Sequence, residues 1–555
     1  MATQENAAPM TESTATPSLD GPAVPRPQSP RAGANNKRPA GQSARSLKKQ
    51  KKLKTKRERG MTEGSTEEVL LADIQALAET LAPADGEEVA EAPLPEQGSE
   101  IDVKVLQLSS TGEGLAVQEP HTRIYTVPFV APGDVVRIKV YRHLKDDGYS
   151  VGDFISVTTP SPLRDDTRIK CQYFSRCGGC QFQMLSYDEQ LRHKRTIVEK
   201  AFRNFSQLPP ELVPAVGETI GSPLQYGYRT KLTPHFDGPP GYRPSKKSRP
   251  KTFFEECPDI GFMQKGKRKV LDIEDCPIGT DAVRKGMGRE RARMKEVFAE
   301  YSRGATVLLR ENTERYAKAS DAPEELPADA VKEERGEGVD IKTCVTDNNA
   351  TTTEYIDDKI FTNPAGSFFQ NNNSILPRFT SYIRSHILPP PTTNPDDEIK
   401  YLIDAYSGSG LFTISLSTLF TSSIGIDIAD KSIAYARENA KLNGLDPSQC
   451  TFIAADARAL FASVTFPARQ TVVVLDPPRK GCDADFLGQL LAFGPRRVVY
   501  VSCNVHTQAR DVGVLVRGQG AARYEVESLV GFDFFPQTGH VEGVAVLNRV
   551  EEKAE

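Results

Sequence analysis

The 555-residue sequence has no run approaching 18 apolar residues, so no membrane-spanning helix is expected and no membrane partner. Its first twenty residues lack an apolar core and contain Glu5, Glu12 and Asp20, which fits neither a secretory signal nor an acid-poor transit peptide. A strong charge of one sign is missing too. With 70 Lys and Arg against 74 Asp and Glu the formal net charge is -4, so any attraction for nucleic acid must be local. Cysteine is sparse. Nine residues at uneven spacing argue against a disulfide framework and for a reducing compartment with metal-binding or catalytic thiols. Hydrophobic residues make up 38% of the chain, enough for cores in part of it, and the length allows three or four domains.

Residues 1–97 read as a disordered tail, because the stretch from 1 to about 64 is rich in Ala, Pro, Ser, Thr and Gln and buries too little apolar surface to offset ordering entropy. Its basic block 37–59, with Lys48, Lys49, Lys51, Lys52, Lys54, Lys56 and Arg57, reads as a nuclear-localisation or RNA-contacting segment, or more plainly as a solvated charge run. A nuclear or cytoplasmic location, or both, is expected. Residues 61–100 contain acids and no Lys or Arg, an acidic linker able to neutralise the block. One helix is expected in it, since Ser65 and Glu68 form a capping-box pattern ahead of Leu70, Ile74, Leu77 and Leu81 on one face.

Residues 98–160 change to short β segments, Asp102 to Leu108, Arg123 to Phe129, Val135 to Tyr141 and Phe154 to Val157, punctuated by glycine turns. They predict a small OB-type β-barrel, a common platform for single-stranded nucleic acid, with a purely structural barrel as the alternative. Residues 161–350 form a central domain, where Cys171, Cys177 and Cys180 fall within ten residues and Gly178 and Gly179 let the backbone fold tightly. Clustered thiolates hold zinc or an iron-sulfur cluster, and either needs a fourth ligand. Cys257 and Cys276, each followed by proline, are the candidates. The helix from Ser186 to Phe205 carries Arg192, His193, Lys194, Arg195, Lys200 and Arg203 and is expected to present a basic face. Residues from about 285 to 350 are charged and uneven in pattern, and read in part as an insertion or linker.

Residues 351–555 form the last domain, whose alternating strands and helices predict an α/β, Rossmann-like, largely parallel sheet. Three of its strand ends are polar: Asp404 to Gly410, Asp476-Pro477-Pro478-Arg479, and Ser502-Cys503-Asn504. In such sheets chemistry collects beyond the carboxyl ends of the strands, so three polar edges imply one crevice, with the Cys503 thiol facing it. Alone, Cys503 would read as a packed thiol. The turn Tyr406-Ser407-Gly408-Ser409-Gly410 lets backbone approach a ligand closely, although it lacks the full Gly-x-Gly-x-x-Gly of dinucleotide binders. Asp427 ends the next strand, 23 positions after Asp404, where these folds place a carboxylate to accept ribose hydroxyls. The layout resembles a class I S-adenosylmethionine methyltransferase.

More specific resemblances follow from the motifs. Gly112, Gly114, Val127, Pro128, Phe129, Pro132, Gly133 and Asp134 resemble the TRAM domain, which implies RNA binding by the barrel. Ser502-Cys503-Asn504, Asp476-Pro477-Pro478-Arg479-Lys480-Gly481, Phe368-Phe369-Gln370-Asn371 and Asp533 to Glu542 together resemble the RNA uracil-5-methyltransferase family, over roughly residues 100 to 549. The resemblance implies S-adenosylmethionine as cofactor, RNA and above all tRNA as partner, and a monomer. It implies Cys503 and Glu542 as catalytic residues, with His540 the second choice for the base, and Gln370, Tyr406, Asp427 and Asp476 as the cofactor set. Arg479 and Gln537 stand in support of Asp476. The cysteines match the four-thiolate [4Fe-4S] pattern of some members on Cys171, Cys177, Cys180 and Cys276, leaving Cys257 outside. One departure is Val505, where proline often follows Ser-Cys-Asn.

The chemistry can be argued from the residues themselves. C5 of uracil is a poor nucleophile until something adds to C6, and a thiolate suits that addition. Lowering a thiol from pKa about 8.5 to about 7 needs about 2 kcal/mol of differential stabilisation, which Arg510, Arg479 or the following helix N-terminus could supply. A base must then remove the C5 proton. Rival readings are an amino-methyltransferase, which would carry an aromatic residue where Arg479 stands, a cytosine-5 enzyme, an rRNA-directed enzyme, and a non-enzymatic RNA-binding or RNA-folding protein.

Overall fold

Why the strands and helices form where they do is visible from the first described helix onward. The computed structural model describes residues 63–81, 93–119, 121–241, 252–391, 394, 397–455, 461, 464–518 and 522–550. The basic block 37–59 and most of the expected disordered tail lie outside these residues. Helix α1 (Thr66–Leu81) starts at the capping box: the Ser65 hydroxyl accepts from Glu68 N at 3.3 Å, and the Glu68 carboxylate accepts from Gly64 N at 2.6 Å. Its Ile74 and Leu77 pack on Leu115, Val117, Ile124 and Tyr149.

Those four residues belong to a closed barrel of β1 (Glu100–Leu108), β2 (Gly114–Val117), β3 (Ile124–Val127), β4 (Val135–Leu144) and β5 (Tyr149–Thr159), in the order β1-β2-β3-β5-β4. Strand β4 shows the period-two logic: Val136, Ile138 and Val140 point inward, while Arg137, Lys139 and Tyr141 point out. All four residues of β2 are buried, although a barrel strand normally keeps one wet face, because α1 covers its outside.

The next segment carries the cysteines and corrects two expectations. Helix α2 (Tyr187–Phe205), capped by Ser186, buries Lys194, Ile197, Val198, Ala201 and Phe202 on one stripe. Lys194 and Lys200 therefore turn inward to Asp533 and Asp73, and the basic face that remains exposed is reduced to residues such as Arg192 and Arg203. Residues 285–350 are not a linker. After the short strands β6 (Lys231–Leu232), β7 (His235–Phe236), β8 (Gly261–Met263) and β9 (Val270–Asp272), they hold most of α3 (Asp281–Val297), β10 (Ala305–Thr306), and the strands β11 (Leu309–Tyr316), β12 (Val331–Arg335) and β13 (Gly338–Val345), which with β6 make a four-stranded sheet. Its charges are paired across strands, Arg315 with Asp340 and Lys342 with Glu333, which is why the stretch looked uneven in hydropathy.

Beyond the hairpin of β14 (Thr351–Ile356) and β15 (Lys359–Pro364), strands β16 (Tyr401–Ala405), β17 (Ser422–Asp427), β18 (Cys450–Ala454), β19 (Thr471–Leu475) and β20 (Arg497–Ser502) are parallel, β22 (Glu542–Arg549) runs against them, and β21 (Tyr524–Phe532) pairs antiparallel with β22. The seven form one sheet in the order β18-β17-β16-β19-β20-β22-β21, with helices α4 (Leu376–His386), α5 (Leu411–Leu416), α6 (Asp430–Leu442) and α7 (Ala484–Phe493) between its strands or before them. Apolar cores lie on both faces, as a doubly wound sheet requires. Among the described residues no helix is long and apolar enough to cross a membrane.

Candidate active site

Strand order decides which side chains meet. The chain leaves β16, β19 and β20 at one edge, so Tyr406, Asp476 and Cys503 emerge as neighbours where the order of strands reverses. Because β22 runs the other way with Gly543 opposite Ser502, its first residue, Glu542, arrives at that same edge beside Cys503. A cleft of about 810 Å³ opens there, and Gln370, Tyr406, Asp427, Asp476, Cys503 and Glu542 all line it, with Arg479.

The glycine turn at its floor is held open. Tyr406 has φ 66° and Gly408 φ 54°, and no heavy atom lies within 4 Å of where a Cβ on Gly408 would sit. Asp427 Oδ2 accepts from Gly408 N at 3.0 Å and its Oδ1 from Ala429 N at 2.8 Å, tying the turn to the end of β17. Buried Asp404 accepts from Thr413 N and Oγ1 at 2.9 and 2.6 Å, anchoring the turn from behind. These groups fit a ligand with vicinal hydroxyls and a flat ring. Two apolar residues also line the cleft: Phe368, from the motif Phe368-Phe369-Gln370-Asn371, and Ile428, which none of the motifs contains. Ile428 is 71% exposed and Phe368 78% exposed, while neighbouring Phe369 is buried. For Ile428 the signal was there: an apolar residue directly after a strand-ending acid.

The electrostatics correct the expected thiol activation. Burial first, then the charges of Glu542 and Asp476, push the Cys503 thiol up to about 12, and Arg479 opposes them. Two carboxylates outweigh one guanidinium. Arg510 gives no help, since it is engaged by Asp511, Glu63 and the carbonyls of Lys480 and Cys482. Asn504 itself caps the following helix, α8 in chain order (Val505–Arg517), accepting from His506 N at 3.2 Å, so that helix end is already satisfied. Burial and the charge of Asp476 raise Glu542 well above the usual carboxylate range, with Arg479 again opposing. Asp476 is raised to about 7 by burial and by Asp404. Close carboxylates that cannot both ionise share a proton.

The loop leading to Glu542 is held from the central domain. Lys194 Nζ donates to Asp533 Oδ1 at 2.5 Å, to the Phe535 carbonyl at 3.0 Å and to the His540 carbonyl at 2.5 Å. Gln537, expected to support Asp476, lies outside the cleft. It is buried with φ 72° and exchanges two hydrogen bonds with Gln190. His540 is exposed and also lines no part of the cleft.

Cys171, Cys177, Cys180 and Cys276 lie within one another's electrostatic reach, and burial raises Cys180 and Cys276 to about 12. Among the described residues no three His, Cys, Asp or Glu side chains converge on a single-ion site. Cys257 is exposed and apart.

Residues 336–550 match the tRNA (Uracil-5-)-methyltransferase family. The chain is 42% identical over 524 residues to a tRNA (uracil(54)-C(5))-methyltransferase of Schizosaccharomyces pombe, covering 94% of this chain and 90% of that one. It is 40% identical over 482 residues to the protein of that name from Saccharomyces cerevisiae, covering 81% and 73%. The fold resembles a Pyrococcus abyssi tRNA (uracil-54, C5)-methyltransferase solved with S-adenosyl-L-homocysteine, with TM-score 0.55 and 24% identity over 80% of this chain and 100% of the other. With a relative of that identity along nearly its whole length, and its strand-end motifs gathered at one cleft, the chain belongs to the tRNA (uracil-5-)-methyltransferase family.

Proposed function

We propose that this protein methylates C5 of a uridine in tRNA, using S-adenosylmethionine and a covalent bond between Cys503 and C6 of the base. The observation that carries the reading is the meeting of Cys503, Glu542, Asp476 and Arg479 in one cleft with an open glycine turn and Asp427. The names of the yeast relatives support tRNA, and uridine 54 in it, as the target. The cofactor, held by Gln370, Tyr406, Asp427 and Asp476, supplies an electrophilic methyl group on a positively charged sulfur. That positive charge beside two carboxylates also favours the thiolate over the thiol.

The Cys503 thiol first loses its proton to solvent; the thiolate sulfur then forms a bond to C6, and the C5–C6 π electrons move toward O4, with Arg479 as the nearby cation. C5 then bonds to the methyl carbon as the carbon–sulfur bond of the donor breaks. Glu542 removes the C5 proton, the double bond re-forms, and the Cys503 sulfur leaves. A carboxyl raised by burial is a stronger base than an exposed one, which suits Glu542 to this step. Cys503→Ala is expected to abolish turnover and adduct together. Glu542→Gln is expected to accumulate methylated RNA joined to protein, seen as a gel shift that survives denaturant. An unmethylated adduct, or none despite RNA binding, would reassign the base.

The cysteine group is read as a [4Fe-4S] ligand set with a structural or RNA-positioning role. Four neighbouring thiols match in number the thiolates that such a cluster needs. The barrel is read as a TRAM-like RNA platform, the protein as a monomer, and its location as nuclear, cytoplasmic or both.

A further inference from the structure

Helix α1 has no part in the reaction as written, yet its first residues touch the nucleophile loop. The Gly64 carbonyl accepts from Asn504 Nδ2 at 3.1 Å, one residue from Cys503. That same amide nitrogen donates to the Arg479 carbonyl at 3.0 Å, so one side chain joins three segments. Thr507 Oγ1 donates to the Arg479 carbonyl at 3.1 Å, and Glu63 pairs with Arg510 at 2.9 Å, whose guanidinium also holds the carbonyls of Lys480 and Cys482. The loop from Arg479 to Cys482 is thereby tied to Asn504 and the first turn of α8, with residues 63 and 64 closing the outside.

The fit at Gly64 is tight. Its φ is 70°, and a Cβ there would lie 2.4 Å from Thr507 Cγ2, so only glycine seats the segment without displacement. The far end of the strap is locked independently: buried Asp73 on α1 accepts from Ser110 N of the barrel and pairs with Lys200 of α2 at 3.7 Å. Thr66–Leu81 is thus fixed to the barrel and presents a rigid hook at its start.

We propose that the segment Glu63–Leu81 is a strap that positions the reaction centre, with Gly64 and Glu63 holding Asn504 and Arg510 so that the Arg479 loop stays seated against Cys503. Gly64 and Glu63 are positioning residues, since neither lines the cleft. The inference rests on the reading of Cys503 as the nucleophile. Losing the strap should loosen Arg479 from the thiol, which slows addition to C6 and moves the thiolate-dependent limb of the pH profile upward, while the methyl donor still binds.

The test uses the full chain and RNA carrying 5-fluorouracil, which traps the adduct. Gly64→Ala is expected to slow adduct formation about tenfold and shift the limb to higher pH, with unchanged donor affinity. Thr507→Ser in that background removes the methyl group that the new Cβ would strike, keeps the hydroxyl, and should recover much of the rate. Glu63→Ala, at a 72% exposed side chain, carries no risk to folding and should move rate and pH limb in the same direction by a smaller factor. Variants that match wild type in rate and pH limb overturn the proposal. So does a loss confined to tRNA affinity, or one that Thr507→Ser does not relieve. A wild-type protein that forms no adduct would instead refute the role of Cys503.

Discussion

Replacing Lys194 with Met should show how far the base depends on a residue outside its own domain. The ammonium group is buried and donates to Asp533 and to the carbonyls of Phe535 and His540, all on the loop before Glu542. Lys194→Met leaves the Asp533 carboxylate buried without its cation, a change that costs about 3–5 kcal/mol. Adding Asp533→Leu removes the stranded charge, so the double variant should recover about half, the remainder being the His540 carbonyl without a donor at about 1–3 kcal/mol, since Thr538 Oγ1 still donates to the Phe535 carbonyl. The chain has no Trp, so urea unfolding is followed by far-UV circular dichroism. Turnover should fall in Lys194→Met more than donor affinity does, because the loop that aims Glu542 slackens while the glycine turn is untouched. If single and double variants lose the same stability, the pair is not what holds the loop and the reasoning fails.

Three further outcomes follow from the same site. With the thiol held up near 12, ionised Cys503 is scarce at neutral pH and grows about tenfold per unit, so the rate at which iodoacetamide alkylates Cys503 in donor-free enzyme, read by mass spectrometry, should rise with slope near one up to pH 9; a plateau below pH 8 contradicts this. Arg479→Ala should lower that rate throughout, since the guanidinium beside the thiol eases its ionisation. Protein purified without oxygen should be brown, Cys276→Ser should bleach it and Cys257→Ser should not; a colourless protein with one zinc would reassign the site.

The strand ends that carry chemistry were legible because each is a short apolar run stopped by polar residues, and the parallel order then gathers Tyr406, Asp476 and Cys503 at one edge. The place of Glu542 was not legible from spacing. It depends on β22 lying between β20 and β21, a pairing that no local pattern encodes. Lys194 read as surface charge because its partner, Asp533, is 339 positions away, yet the stripe Lys194, Ile197, Val198, Ala201 is helical spacing and placed the lysine on the buried face. Charge likewise hid the sheet in residues 285–350, whose cations and acids meet across strands rather than along the chain. The thiol was expected to be eased by cations. Counting carboxylates that end up beside it needs the fold, since Glu542 and Asp476 are 66 positions apart.

The insertion of β22 between β20 and β21 also fixes an order of assembly. Among the described residues β21 joins the sheet through β22 alone, its other backbone bridges being isolated ones to Val216 and Ile220, so its place in the sheet waits until the chain beyond it has been made and folded back. The nucleophile, already at the end of a parallel pair, must wait for the base. A one-residue slip of β22 against β20 would turn Glu542 to the opposite face of the sheet and drive a side chain into the space that Gly543 leaves against Gln508 and Val505. Methylation competence is therefore a report on the register of a single late strand, and Gly543 is the residue that makes the wrong register costly.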